Sequence, residues 1–213
     1  MEDLAGRYAN PFWATLDDEA RRRLVEGADE VSYAEGTVFR GNFRHPVLLL
    51  SGILYVTIGE RPNTVIIPGD LTLTPHFRPA TAIDFPLSEV ELRRSFDVQR
   101  WHCVTPVSLL SIPTELAEEL LGSSLSFARA TLDSQLDIQG HMIYFQDNLY
   151  HHSAYEAVRY ILKLGRSCGL RDLTHAQIAF LSGRNRTTVT KTMHEIALAE
   201  PELLGEGAPA DDA

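Results

Sequence analysis

Residues 173–196 read LTHAQIAFLSGRNRTTVTKTMHEI and contain two short helical patterns separated by a glycine. Thr174 and Gln177 form a capping box, which predicts that a helix begins here. Gly183 permits a tight turn, and Asn185 can cap a second helix that continues from Arg186. Two short helices joined by a glycine-containing turn are typical of a helix-turn-helix.

The polar residues of this motif are of the kind that reads DNA. The second helix of a helix-turn-helix enters the major groove N-terminus first, so its early side chains meet base edges. Arg186 can pair with guanine O6 and N7 through two hydrogen bonds. The predicted DNA-binding residues are Arg184, Asn185, Arg186, Thr187, Thr190 and Lys191. A helical hairpin with a solvated arginine is the alternative that these residues leave open.

Basic residues are concentrated around the same motif. Residues 153–195 hold seven Lys or Arg against three acids, a net charge of +4, whereas the whole chain carries −10 at pH 7. The remainder therefore carries −14. A basic block on an acidic protein fits a DNA-binding segment, although chance clustering produces the same pattern.

Length and composition exclude several other classes of protein. The 213 residues suffice for one large domain or two small ones. No apolar run approaches the roughly 20 residues of a membrane span, and the N-terminus lacks the regions of a signal peptide, so we expect a cytoplasmic protein with no membrane partner. Cys103 and Cys168 are far apart, which predicts no metal site and no cofactor. No nucleophile with a paired base and no phosphate loop is present, so we do not expect an enzyme.

The N-terminal half is predicted to contain one helix and an antiparallel, turn-rich sheet. The helix opens at Thr15-Leu-Asp-Asp, with an N-cap and early acids, and ends near Gly27. Short apolar runs then follow, cut by Gly, Pro and Asn, which are typical of strands. The clearest runs are VLLLSGILYVTI (47–58), TVIIPGD (64–70) and CVTPVSLLSI (103–112). The stretch 71–100 is expected to be rich in loops.

A short helix capped by Thr114 and a long helix from about Leu125 to Tyr150 are predicted next. Along the long helix, Leu125, Arg129, Leu132, Leu136, Gln139, Ile143, Gln146 and Tyr150 are spaced alternately by four and three residues. This heptad seam is typical of two helices paired side by side, and it predicts a homodimer through every seam position except Arg129. Because several seam positions are polar, an amphipathic helix lying on its own sheet is the alternative.

Residues 173–196 resemble the DNA-binding segment of the CRP/FNR family of bacterial transcription regulators, whose pattern is roughly LTxxxIAxxxGxSRxTVxRxLxxL. The order of the predicted parts agrees as well. A short helix precedes a β-roll with an apolar strand into Gly52 and a PGD turn at 68–70, and a long helix and a winged helix follow. The resemblance covers about residues 12–200 and implies an α+β fold with a cyclic-nucleotide-binding-like roll.

The resemblance implies four regions along the chain. Residues 1–112 would be the β-roll sensor domain, residues 113–152 the short helix and the dimerisation helix, and residues 153–204 the helix-turn-helix domain. A winged helix normally ends in a hairpin, but ALAEPELLGEGAPADDA (197–213) has no alternating apolar run and contains five acids. We therefore expect a reduced or missing wing and an acidic, disordered tail at 205–213.

The sequence departs from the family in its sensor domain. No Glu stands at the Gly69-Asp70 turn where the family has Gly-Glu, and no Arg-Ser or Arg-Thr pair after it matches the family's pattern for neutralising a cyclic phosphate, so neither cyclic AMP nor cyclic GMP is expected to bind. The cysteine set of the family's oxygen sensors is absent, and the histidines fit surface or linker positions better than haem ligands. Phe77, Trp101 and Leu132 are candidate walls of an effector pocket, with ordinary core packing as the alternative for the two aromatic residues.

These observations predict a homodimeric transcription regulator that binds a palindromic operator in double-stranded DNA. An unidentified small-molecule effector, not a cyclic nucleotide, would control it, with RNA polymerase as a further partner. The alternative is a degenerate family member that acts as a sensor or binds a protein partner without sequence-specific DNA binding.

Overall fold

The computed structural model describes residues 10–41, 43–59, 61–73, 97–145, 152–170 and 172–204. The chain divides into two compact units, residues 1–142 and 143–213. The long helix therefore belongs almost entirely to the first unit. The finer boundaries expected at 112 and 152 remain predictions.

Four helices of the first unit are α1 (Pro11–Thr15), α2 (Asp18–Gly27), α3 (Thr114–Ser123) and α4 (Leu125–Ile143). Helix α2 ends at Gly27 as predicted but begins after Asp17, whose carboxylate accepts a hydrogen bond from the Ala20 amide at 2.8 Å. Thr15 instead ends α1, a short helix that the sequence pattern did not reveal. Pro113, not Thr114, occupies the N-cap of α3 and has no side chain with which to cap it.

Eight strands of the described residues form two antiparallel sheets. They are β1 (Asp29–Tyr33), β2 (Val38–Arg40), β3 (Val47–Ser51), β4 (Leu54–Ile58), β5 (Arg61–Ile66), β6 (Leu71–Thr72), β7 (Gln99–Cys103) and β8 (Val107–Ser111). One sheet has the order β1-β8-β3-β6 and the other β2-β7-β4-β5. The predicted α+β class with an antiparallel roll is confirmed.

Strand β3 shows why the run VLLL contains no polar residue. Successive side chains of a strand point to opposite faces of the sheet. Leu48 belongs to a core cluster that includes Phe12 and Phe127 of the helices, whereas Leu49 belongs to a second cluster that includes Trp101 of the other sheet. Both faces of β3 are therefore covered, and a strand covered on both faces is apolar throughout.

The PGD sequence forms the turn between β5 and β6. The Asp70 amide donates to the Ile67 carbonyl at 2.9 Å, and Gly69 has φ +102°, which makes this a type II turn with proline and glycine in their preferred positions. The Asp70 carboxylate accepts a hydrogen bond from the Ile67 amide at 2.9 Å and is almost fully buried. Burial, assisted by the negative charge of Asp137, raises the pKa of Asp70 to about 7.

Helix α4 is attached to the edge of the roll beside this turn. The Leu71 amide donates to the Ser134 hydroxyl at 2.6 Å, and the Gln135 side chain donates to the Leu71 carbonyl at 2.6 Å. Strand β6 is the last strand of its sheet, so these two side chains occupy hydrogen-bonding positions that a further strand would use.

The second unit contains α5 (Ala154–Ser167), α6 (His175–Ser182), α7 (Arg186–Ala199) and a 3₁₀ turn at Pro201–Leu203. Both predicted capping boxes are present, at Ser153 with Glu156 and at Thr174 with Gln177. The three helices pack against one another, and the described residues 152–170 and 172–204 contain no β-strand. The predicted tail at 205–213 lies outside the described residues.

Candidate DNA-binding surface

The turn between α6 and α7 depends on Gly183. Gly183 ends α6 in the left-handed conformation, with φ +64°, and the Arg184 amide donates back to the Ala179 carbonyl at 3.1 Å. This is the hydrogen bond of a Schellman motif, in which glycine is favoured because it has no side chain. The chain thereby reverses within three residues and starts α7 at a defined angle.

Helix α7 separates an exposed polar side from a buried side. The Asn185 side chain caps the helix by accepting a hydrogen bond from the Thr188 amide at 2.8 Å. Because successive residues turn by about 100° around a helix, the exposed residues Arg186, Thr187, Thr190 and Lys191 lie on one side. Val189, Thr192 and Ile196 are buried on the other side. Five of the six predicted DNA-binding residues thus lie at the exposed N-terminal end of α7.

Arg184 is placed differently from the other predicted DNA-binding residues. It is half-buried, and its guanidinium donates to the His152 carbonyl at 2.7 Å. Its side chain therefore joins the turn of the helix-turn-helix to the residue that precedes the N-cap of α5. We expect Arg184 to stabilise this unit more than it contacts DNA, a role that the sequence pattern did not suggest.

One contact between the two helices of the motif could not be predicted from the sequence. His175, the first residue of α6, has its Nδ1 atom 3.1 Å from the hydroxyl oxygen of Thr190 on α7. The same hydroxyl donates to the Arg186 carbonyl at 3.1 Å. The only sequence signal was the capping box, which placed His175 at the start of α6 without indicating what it would contact.

The heptad seam of α4 forms an exposed apolar stripe. Leu125, Leu132, Leu136 and Ile143 are between 56% and 86% exposed, and Gln139 is exposed beside them. The opposite face buries Phe127, Ala130, Thr131 and Ser134 within the first unit. Helix α4 thus packs on its own unit through residues outside the seam. Gln146 and Tyr150 lie outside the described residues, and the seam as a dimer interface remains a prediction.

Two of the three candidate effector residues lie within the described structure. Trp101 is a core residue, 1% exposed, with its ring edge-on to Phe43 at 5.1 Å and its indole N–H donating to Gln99 at 3.3 Å. Leu132 is 60% exposed on α4. Phe77 lies outside the described residues. Trp101 therefore matches the alternative of ordinary core packing, and the effector site remains unassigned.

Metal ligands, thiols and apolar helices are the remaining chemical features of the described residues. No group of three or more His, Cys, Asp or Glu among them is placed to hold a metal ion. Cys103 is buried, which raises the pKa of its thiol, and Cys168 is half-buried. Within this part of the chain, no helix combines the length and apolar character needed to cross a membrane.

Comparison with known proteins identifies the fold. No protein-family model and no curated protein sequence match this chain, but solved structures do. A protein from Eubacterium rectale assigned to the CRP/FNR family of transcriptional regulators aligns over 89% of this chain and 87% of its own, with a TM-score of 0.52 and 16% identity. FixK2 from Bradyrhizobium japonicum aligns over 81% and 85%, with a TM-score of 0.54 and 14% identity.

A third structure is CLP from Xanthomonas campestris, described as a c-di-GMP responsive global regulator. It aligns over 86% of this chain and 93% of its own, with a TM-score of 0.55 and 13% identity. At such identities the likeness establishes the fold. The chain has the α+β fold of the CRP/FNR regulators, as the sequence resemblance predicted. These structural neighbours are regulators rather than enzymes.

Proposed function

We propose that this protein is a homodimeric, DNA-binding transcription regulator of the CRP/FNR type. It binds a palindromic operator and responds to an effector other than a cyclic nucleotide. It has no catalytic activity of its own, and RNA polymerase is a further partner at the promoter.

The observation that carries this proposal is the exposed N-terminal end of α7. Arg186, Thr187, Thr190 and Lys191 share one solvent-facing side, while the other side of the helix is anchored in the second unit. A helix held in this way can enter the major groove with its first two turns, where Arg186 reads guanine and Lys191 meets a base or a phosphate.

The exposed seam of α4 supports self-association. A stripe of leucine and isoleucine at heptad spacing is costly to leave in water, and a second copy of the same helix would cover it. Two copies related by a twofold axis would present two α7 helices, so the operator would contain two half-sites roughly 34 Å apart.

Selection from a random pool of double-stranded DNA by the purified full-length protein, at low salt, tests the function. We expect enrichment of a palindrome with half-sites separated by one helical turn. Arg186→Ala should weaken the enrichment and relax it at one base of each half-site, while Arg22→Ala, a change of the same type on the exposed surface of α2, should leave it intact. Recovery of no common sequence would contradict the proposal.

A second candidate function is supported by the C-terminal region. The described residues after α7 form a 3₁₀ turn and no strand, so the hairpin that supplies phosphate contacts in a winged helix is not seen there. A family member without that hairpin could serve as a sensor or bind a protein partner. Failure of the DNA selection, together with an intact dimer, would favour this second candidate.

A further inference from the structure

The hydroxyl of Thr190 is engaged by groups within the helix-turn-helix itself. It donates to the Arg186 carbonyl at 3.1 Å, one turn earlier in α7, and lies 3.1 Å from Nδ1 of His175 on α6. This arrangement fits the imidazole tautomer with its hydrogen on Nδ1, which then donates to the threonine oxygen. In the other tautomer the hydroxyl would donate to His175, and its oxygen would still be turned toward α6.

A threonine side chain has two different groups on its β-carbon, and they point in different directions. Because Oγ1 of Thr190 faces His175 and the backbone of α7, the γ-methyl group is turned away from them. Thr190 is exposed and lies between Arg186 and Lys191 around the exposed side of the helix. The methyl group is therefore the part of Thr190 that this surface presents.

We infer that Thr190 reads the 5-methyl group of a thymine in each operator half-site, with His175 as the residue that positions it. This inference rests on the proposed DNA binding and specifies one base in the site. Apolar contact is a recognised way to identify thymine in the major groove, because its 5-methyl group is absent from the other three bases. A hydrogen bond from Thr190 to a base or a phosphate would instead compete with its contacts to His175 and Arg186.

The test replaces each thymine of the selected operator, one position at a time, with deoxyuridine, which lacks only the 5-methyl group. Wild-type protein should bind about fourfold more weakly per half-site when one particular thymine is replaced, as expected for the loss of one buried methyl group. Thr190→Ser keeps the hydroxyl and loses the methyl, so this variant should bind the operator with thymine and the operator with deoxyuridine equally. Thr190→Val keeps a methyl and should retain the preference for thymine.

Variants of His175 test its positioning role. His175→Ala should reduce the ratio of the affinity for the thymine operator to the affinity for the deoxyuridine operator, because the Thr190 side chain can then rotate. His175→Gln should restore part of this affinity ratio, because its amide can donate a hydrogen bond to Thr190. A general structural role would weaken binding to both DNAs and leave their ratio unchanged. Thr15→Ser is the control, because it makes the same change at an exposed threonine of α1 whose hydroxyl also donates to a carbonyl one turn earlier, that of Pro11. It should leave the ratio of the two affinities at this position unaltered.

The outcomes separate this inference from the proposed function. If the pool yields no common sequence, DNA binding itself is contradicted and the inference fails with it. If an operator is recovered but no thymine shows a deoxyuridine effect, the inference alone is overturned. If the Thr190→Ser protein still binds the deoxyuridine operator more weakly than the thymine operator, another residue recognises the methyl group and the inference is overturned. The same holds if His175→Ala leaves the difference between the two operators unchanged.

Discussion

Arg159 on α5 forms a salt bridge with Glu200, the residue that directly follows α7. Nε of Arg159 lies 2.7 Å and 2.8 Å from the two carboxylate oxygens of Glu200, and the Tyr155 hydroxyl donates to the same carboxylate at 2.8 Å. The hydrogen bond from Arg159, followed by that from Tyr155, lowers the pKa of Glu200. The residue that follows α7 is thereby tied to the helix on which α7 packs.

Glu200→Gln should lower the thermal stability of the second unit at pH 7. Because the pKa of Glu200 is lower in the folded protein, its stabilising effect is present above its usual value of 4.5 and is lost as the pH falls through the lowered folded pKa. Wild type and variant should therefore differ in stability at pH 7, and this difference should shrink as the pH falls below 4.5. Thermal unfolding followed by circular dichroism at several pH values measures this. A difference that is constant with pH would contradict it.

Arg184→Ala should destabilise the second unit by about 1.5–3 kcal/mol, because it removes a charged hydrogen bond to the His152 carbonyl in a half-buried position. Arg186→Ala, at an exposed position two residues further along the chain, is the matched control and should change stability by less than about 0.5 kcal/mol. Urea denaturation of both variants gives the two values. Equal stability of both variants would show that the contact of Arg184 contributes nothing.

Arg186→Ala and Lys191→Ala should weaken DNA binding in different ways. Loss of a bidentate guanine contact should cost about 1–3 kcal/mol per half-site and relax specificity at that base. Loss of a phosphate contact at Lys191 should weaken binding to all sequences and reduce the salt slope by about one unit. Binding titrations at several salt concentrations, on the selected operator and on a scrambled one, distinguish the two effects. A change of specificity with Lys191→Ala would place that residue on a base.

Leu136→Glu with Ile143→Glu should dissociate the dimer. Each side chain is more than half exposed in the single chain, so the double substitution should leave the fold intact. Burying two carboxylates per protomer in an apolar seam should raise the dissociation constant roughly 100-fold or more. Analytical ultracentrifugation measures the change, and Leu198→Glu, at a leucine 76% exposed on α7, is the control. A monomeric wild type at micromolar concentration would show that the seam is not an interface.

Asp70→Asn should flatten the dependence of stability on pH. The pKa of Asp70 is raised from 3.8 to about 7, so the folded state holds a proton that the unfolded state releases. Wild-type stability should therefore fall as the pH rises from about 4 to 7, by at most about 4 kcal/mol from this residue. An asparagine oxygen can still accept the Ile67 amide. Unfolding curves at pH 5 and pH 8 give the change in the free energy of unfolding with pH for each protein. An equal change in wild type and Asp70→Asn would contradict a raised pKa of Asp70.

The local signals in the sequence predicted much of the second unit. Capping at Ser153, Thr174 and Asn185 was correct because a cap bonds to an amide only three residues away. The start of α2 was misplaced because Asp17 and Thr15 are both able to cap and only the packing of α1 decides between them. The alternation of covered faces in β3 was not visible in the sequence, because a continuous apolar run does not show which residue faces which layer.

The sequence by itself determined the helix-turn-helix, the heptad seam of α4 and the PGD turn, since each depends on residues within a few positions of one another. Only the tertiary structure decided which polar groups of the second unit contact one another. Arg184 reaches His152 across 32 positions, Arg159 reaches Glu200 across 41, and Thr190 meets His175 across 15. These partners depend on how three helices cross, and the crossing is set by the combined packing of their buried faces, which no local pattern encodes.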